Sequence, residues 1–321
     1  MRATGLLFTI ISISSNLMRT AFSFQRCKAS FLSSKVSLHC GAKNGDSVTV
    51  PSGLLAVFKP KDWTSSDVVS KVKGILSKGI QRRCGNERFK IKVGHGGTLD
   101  PLAEGVLVLG IGEGTKLMGD YLAGSKGYQA VALLGSETDT LDNTGEITET
   151  VDSSSITEND LVLAMPPFRG DIMQVPPMYS ALKRDGKKLY ELARDGITVE
   201  REPRPVTVHS LDLISEFQED PAGTRIRKIA LPYFGLDISS GGGFYVRSLI
   251  SDLARSCGGR AHMTDLLRTK QGPFEIKDCL LEENWNFDDL CKGILTTNEK
   301  VNLVLKPAAK GKYVETPPNN S

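Results

Sequence analysis

The first 45 residues contain no aspartate or glutamate, although Arg2, Arg19, Arg26, Lys28, Lys35 and Lys43 all lie there. Taking those six from the totals of 40 basic and 37 acidic residues leaves 34 basic against 37 acidic. The rest of the chain is therefore not globally basic, and any polyanion has to be held by a local patch. The six cysteines are scattered and form no C-x-x-C, so neither a zinc site nor a disulfide framework is signalled. The four histidines, His39, His95, His209 and His262, are too dispersed to mark a metal-ligand motif. No G-x-S-x-G nucleophile elbow occurs. The apolar run Leu6–Ile11 is too short to span a bilayer.

What is present is the composition of a globular chain of 321 residues, with 40% hydrophobic and 24% charged. The N-terminus reads as an address: a short signal-like apolar core, then Ala21-Phe22 and an acid-free segment rich in Ser, Lys and Arg. It resembles the bipartite plastid presequences of algae with complex plastids. A mitochondrial presequence and a plain N-terminal extension are the alternatives. The expected boundaries are a presequence over 1–47, a catalytic domain over 48–285 and a partly disordered C-terminal extension over 286–321.

Gly53–Phe58 reads as a strand. Ser66 reads as the N-cap of a helix on which Val68, Val69, Val72, Ile75 and Leu76 recur at helical spacing, with Gly79 as its stop. Between Lys59 and Lys92 stand ten basic and three acidic residues, and Gln81–Lys90 reads as a basic loop; such a run is either a solvated face or a phosphate contact. Strands are expected at Lys126–Gly135, Val206–Leu211 and Arg225–Leu231, a short helix around Leu189–Ala193, and a strong helix over Val246–Cys257. Strands and helices mix without a regular βαβ repeat, which favours α+β.

The stretch GHGGTLDPLAEGVL, from Gly94 to Leu107, concentrates the chemistry. Pro101 disfavours α conformation at Asp100, so the carboxylate sits on restrained, extended backbone. Gly94, Gly96 and Gly97 clear side chains from its approach. The loop lacks the Lys-Ser/Thr ending of a phosphate loop and is not G-x-G-x-x-G. Locally, Asp100 is either a positioned nucleophile or base, or an ordinary aspartate in a tight turn.

Five segments in order decide between those readings. They are VFKPKDWTSSDVVSKVK, GHGGTLDPLAEGVL, KGYQAVALLGSETDTLDNTGE, QVPPMYSALKRDGKKLYELARDGITVEREPRPVTVHSL and GGGFYVRSLISDLARSCGGRAHMTDLLRT. Together they resemble the bacterial-type TruB family of pseudouridine synthases, which modify uridine 55 in the TΨC arm of tRNA. The resemblance implies the pseudouridine synthase fold, a mixed and mostly antiparallel sheet flanked by helices and loops. It implies Asp100 as the catalytic residue at the ribose C1′, by direct attack or through a glycal. Tyr128 matches the tyrosine stacking on the flipped base, Arg247 the arginine pairing with the carboxylate, and Tyr245 the aromatic beside it. His95 matches the histidine inserted into the RNA, and Leu266 an apolar residue of the pocket. No cofactor and no metal are implied. The expected partner is the TΨC stem-loop of tRNA, with no membrane, for a protein acting as a monomer in a plastid or, alternatively, a mitochondrion.

The pattern departs from the family in places. Gly241-Gly242-Gly243-Phe244 stands where Ser-Lys-Gly-Thr is common, so a lysine is missing. No C-terminal PUA domain is recognisable. Two rival readings remain: a guide-RNA-dependent relative, and a tRNA-folding chaperone that binds without catalysis.

Overall fold

The computed structural model describes residues 35–38, 48–84, 91–184 and 186–303. The presequence (apart from 35–38), most of the basic loop beyond the first helix and the tail from 306 lie outside the described residues. Lys35–Leu38, inside the expected presequence, pairs antiparallel with Val48–Pro51.

The labelled elements are β1 (Gly53–Lys59), α1 (Ser65–Cys84), β2 (Val93–His95), β3 (Glu104–Ile111), α2 (Met118–Ala123) and β4 (Lys126–Leu134). There follow α3 (Glu158–Ala164), β5 (Gly170–Gln174), α4 (Leu189–Arg194), β6 (Arg204–Ile214) and β7 (Tyr233–Ser240). The last are α5 (Val246–Ser256), β8 (Ala261–Gln271), β9 (Phe274–Glu275) and α6 (Phe287–Lys300). The nine strands form one sheet in the order β1-β3-β8-β4-β7-β6-β5, with β2 on β3 and β9 on β8. Only the β3–β8 pairing is parallel. The fold is α+β with a mostly antiparallel sheet.

The sheet is covered in two places. Leu249, Ile250, Leu253 and Ala254 of α5 pack with Leu161 of α3 on Ala130, Val208, Leu236 and Ile238. Leu55 and Val57 of β1 and Leu107 and Leu109 of β3 face α1 and α6, while Leu54, Ala56, Val106 and Val108 face a second cluster with Phe274. Strands buried on both sides need no polar alternation, which is why GLLAVF and GVLVLGI read as continuous apolar runs.

Two helix expectations change. The cap of α1 is Thr64, not Ser66: Thr64 Oγ1 accepts from Asp67 N at 3.0 Å, and Asp67 Oδ2 accepts from Thr64 N at 2.9 Å. The helix also runs past Gly79 to Cys84, because Val68, Val72, Leu76 and Ile80 continue one fully buried stripe at four-residue spacing. Gly79 is a contact rather than a stop, since a Cβ there would lie 1.9 Å from the Phe287 ring of α6. Gly79→Ala should therefore destabilise. The helix-propensity gain of about 1 kcal/mol is outweighed by an overpacking cost of roughly 1–3 kcal/mol, and urea unfolding reads the sign.

The expected boundary at 285 also shifts. Leu290 and Ile294 of α6 are fully buried with α1 and β1. Asn298 accepts from Leu54 N at 2.9 Å and donates to Ser52 O at 3.0 Å, tying α6 to the start of the sheet. The packed body thus includes α6. Its apolar residues, Phe287, Leu290, Cys291 and Ile294, carry helical spacing.

Candidate active site

The loop from Gly96 to Ala103 is held from both sides of Asp100. Gly96 N donates to Val108 O at 2.9 Å, and Gly97 takes a φ of 148°, a conformation that favours glycine. Ser65 in the first turn of α1 clamps Leu99, accepting from its N–H at 2.8 Å and donating to its carbonyl at 3.3 Å. Pro101 O accepts from Asp62 N at 2.9 Å and from Lys59 Nζ at 3.2 Å, and Ala103 N closes a turn onto Asp100 O at 3.1 Å. A carboxylate between two clamped residues keeps a fixed direction.

That direction meets Arg247, in the first turn of α5. Arg247 Nη2 lies 2.9 Å from Asp100 Oδ2 and donates to Tyr179 O at 2.9 Å; Nη1 donates to Thr140 O at 2.7 Å and lies 3.5 Å from Asp142 Oδ2. The Arg247 side chain is 5% exposed and that of Asp142 6%, whereas that of Asp100 is 34% exposed. Asp142 Oδ1 accepts from Thr144 N at 3.0 Å and from the hydroxyls of Thr140 and Thr144 at 2.8 and 2.5 Å. A guanidinium shared by two carboxylates and two carbonyls is fixed as rigidly as the loop it faces. Among the described residues no protein donor bonds Asp100 Oδ1, so the catalytic candidate keeps one carboxylate oxygen without a protein partner.

The other expected residues lie in three places. Tyr128 and Leu266, on neighbouring strands, are 8% and 7% exposed and share the apolar cluster of α5. Burial, first of all, raises the Tyr128 hydroxyl pKa, and the charge of Asp100 adds to this. With the ring so covered, a base reaches it only if neighbouring groups give way. Tyr245 caps α5 on extended backbone, its N–H and carbonyl both bonded to the Gln174 side chain at 2.9 and 3.0 Å. His95 ends β2, accepting at Nδ1 from Gly97 N at 3.3 Å. Burial, and then the charge of Arg268, holds its pKa below the ordinary 6.5, so the ring is neutral at pH 7 with its proton on Nε2.

Sequence reasoning gave no site role to Asp142, Thr140, Tyr179, Arg268, Gln271 or Lys59. Lys59 is wholly buried and donates hydrogen bonds to the carbonyls of Pro60, Trp63 and Pro101. Lys126, 5% exposed, caps the C-terminus of α2 through Leu122 O and Gly124 O. Burial lowers both ammonium groups from 10.5 to about 8. Between those two pH values the folded chain sheds protons that the unfolded chain keeps, so these lysines make stability rise with pH. Burial raises the Cys279 and Cys291 thiols and works in the opposite sense over the same window, so the expected result is differential: between about pH 7.5 and about pH 9.5 the urea midpoint of Lys59→Met should rise less, or fall more, than that of wild type. Among the described residues no group of three or more His, Cys, Asp or Glu is placed to hold a metal ion.

A family model described as the N-terminal domain of TruB family pseudouridylate synthase matches residues 82–246. The chain is 46% identical over 245 residues to pseudouridylate synthase TRUB1 of Mus musculus, covering 74% of this chain and 69% of that protein. The chain belongs to the TruB family of pseudouridine synthases. tRNA pseudouridine synthase B of Saccharophagus degradans is 41% identical over 232 residues, covering 72% of this TruB-family chain and 67% of that protein. Among solved structures, the archaeal box H/ACA sRNP Nop10-Cbf5 complex shares the fold at a TM-score of 0.50 and 22% identity, over 78% of this chain and 61% of that one. The chain spans about half, 53%, of the matched chain in a Cbf5-Nop10-Gar1 complex, at 26% identity, 72% coverage of this chain and a TM-score of 0.49.

One departure from the TruB pattern has a steric cause. Gly242 occupies the place of the missing lysine, and its N–H donates to Ala123 O at 3.1 Å. A Cβ there would lie 2.5 Å from Leu122 O and 2.8 Å from Ala123 backbone, so the end of α2 fills the space a side chain would use.

Proposed function

We propose that this protein isomerises uridine to pseudouridine at position 55 in the TΨC arm of tRNA, without guide RNA or cofactor. The observation that carries the reading is the restrained carboxylate of Asp100, 2.9 Å from a buried Arg247, in a chain 41% identical to a tRNA pseudouridine synthase B. The target base is stacked inside a folded loop and has to be flipped out, at a cost of a few kcal/mol. His95, uncharged, fills the gap left in the RNA, and stacking on Tyr128 offsets roughly 1–3 kcal/mol of the flip. Tyr245 and Leu266 line the pocket.

Asp100 then acts at the ribose C1′, by attack or by a glycal route. The N1–C1′ bond breaks, the uracil turns over, a C5–C1′ bond forms, and the proton on C5 leaves to a base as N1 is protonated. Atoms and electrons balance without a redox partner. Arg247, held by Asp142, fixes the carboxylate throughout, and basic residues between Lys59 and Lys92 contact phosphates, which makes binding salt-dependent. Residues 1–47 act as an organelle-import sequence, with the plastid favoured over the mitochondrion, and residues 48–303 form the catalytic body.

The test is a TΨC stem-loop transcript incubated with purified protein alone and mapped for pseudouridine. Conversion at the single position 55 is expected, and a transcript with an unfolded arm should not react. Tight binding with no conversion would replace the enzyme reading by the binding-only chaperone.

A further inference from the structure

The two partners of the Asp100–Arg247 pair are held by different means. Asp100 sits in a loop that is bonded along its length. Besides the clamps on Leu99 and Pro101, Arg268 Nη2 donates to Gly97 O at 3.3 Å and to Gln271 Oε1 at 3.2 Å, and Gln271 Nε2 donates to Gly96 O at 2.8 Å. Arg247 is the second residue of α5, so its direction follows the orientation of the helix's first turn. The chain enters that turn through Gly241-Gly242-Gly243, and Gly243 takes a left-handed φ of 78° with nothing within 4 Å of where a Cβ would stand. The N-cap, Tyr245, has no side-chain cap bond of its own. Neither the approach nor the cap fixes the turn.

What fixes it comes from 71 residues away in the chain. Gln174, the last residue of β5, is 3% exposed, although its neighbours Met173 and Val175 are exposed. Strand alternation turns Gln174 inward and those neighbours outward. Its carboxamide spends both bonds on one residue: Oε1 accepts from Tyr245 N at 2.9 Å, and Nε2 donates to Tyr245 O at 3.0 Å. That pair of bonds needs an acceptor and a donor side by side, which a carboxamide supplies and a carboxylate or an ammonium does not. A second tie lies in the same turn, where Ser248 Oγ donates to Val175 O at 2.8 Å. The chain beyond, Pro176 to Met178, is buried and leads to Tyr179, whose carbonyl accepts from Arg247 Nη2 at 2.9 Å. The first turn of α5 is thus tied at Tyr245, Arg247 and Ser248 to the single stretch 174–179.

We propose that Gln174 is a positioning residue for the isomerisation: its carboxamide holds the backbone of Tyr245 and thereby aims Arg247 at Asp100, with Ser248 as the second tie. The kinetic part of the proposal rests on the pseudouridine-synthase reading, and the mechanical part does not. The competing account is that Gln174 only fills the seam between β5 and α5.

Gln174→Met keeps the volume and removes both bonds, so the two accounts part on it. If the residue only fills space, methionine serves as well. If it aims Arg247, single-turnover pseudouridine formation should slow by about tenfold or more, with the tRNA dissociation constant within about threefold of wild type. The loss should also run through Arg247: added to Arg247→Lys, Gln174→Met should cost no more than about a further threefold. Independently of turnover, hydrogen exchange of the peptide over 244–250 should quicken in Gln174→Met. A wild-type rate or unchanged exchange in Gln174→Met, or losses that multiply with Arg247→Lys, would overturn the proposal. If Gln174→Met does not fold, Ser248→Ala decides, because it removes only the tie to the exposed Val175. A rate lower by about threefold or more at unchanged tRNA affinity then supports the proposal, and an unchanged rate overturns it. A wild type that makes no pseudouridine, with exchange over 244–250 quickened by Gln174→Met, overturns the assigned reaction and leaves the clamp standing.

Discussion

Asp100→Asn should lower the single-turnover rate of pseudouridine formation by at least about a thousandfold while leaving tRNA affinity within about threefold of wild type. Asparagine is isosteric and still offers an oxygen to Arg247 Nη2, so the clamps on Leu99 and Pro101 and the shape of the loop persist. What is lost is the negative charge at the ribose. Stability should change little, because the carboxylate is about one-third exposed, at 34%, and only one of its oxygens is paired. Rapid-quench kinetics together with a thermal melt check both halves. A variant that keeps a tenth of the wild-type rate would show that the carboxylate is not the reacting group.

Arg247→Met should be costly in a different way. It leaves Asp142, 6% exposed, buried without its cation, a situation worth about 3–5 kcal/mol of lost stability. It also removes the donors to Thr140 O and Tyr179 O. Arg247→Lys keeps the charge, but one ammonium cannot span four acceptors on three segments, so the rate should fall by roughly a hundredfold with a smaller loss of stability. Combining Arg247→Met with Asp142→Asn should recover part of the stability, since the orphaned charge is gone, and none of the rate. Urea unfolding of wild type, Arg247→Met, Asp142→Asn and the double variant measures the coupling.

Much of the scaffold was legible because local and tertiary signals agree. GLLAVF forms β1, and the stripe Val246, Leu249, Ile250, Leu253 and Ala254 forms the buried face of α5. The failures have specific causes. Gly79 reads as a helix stop because glycine usually ends helices, whereas here the missing side chain is room for Phe287. α6 carried its helical spacing openly, but a C-terminal tail rich in Pro, Lys and Asn invited the whole region to be read as an extension.

Within the site, Asp142 sits in an acidic turn after Leu141, which holds the left-handed φ of 61°. Nothing in that turn announces an arginine in α5. Strand alternation puts residues three apart on opposite faces, so Arg268 and Gln271 become neighbours only through the bulge at Thr269. The resemblance to the TruB family placed Asp100 and Arg247 in one pocket. It matched Lys59 and Arg268 to family motifs but gave neither a contact, and it gave the second carboxylate no role; three-dimensional packing alone supplies those contacts.

The central claim is that this chain makes pseudouridine with Asp100. Its most direct measurement is pseudouridine mapping of a full-length tRNA transcript after incubation with purified wild-type protein or Asp100→Asn, with nothing else added. The predicted result is a single modified position, 55, with wild type and none with the variant at equal tRNA occupancy. Equal modification by both proteins, or none by wild type at saturating occupancy, would contradict it.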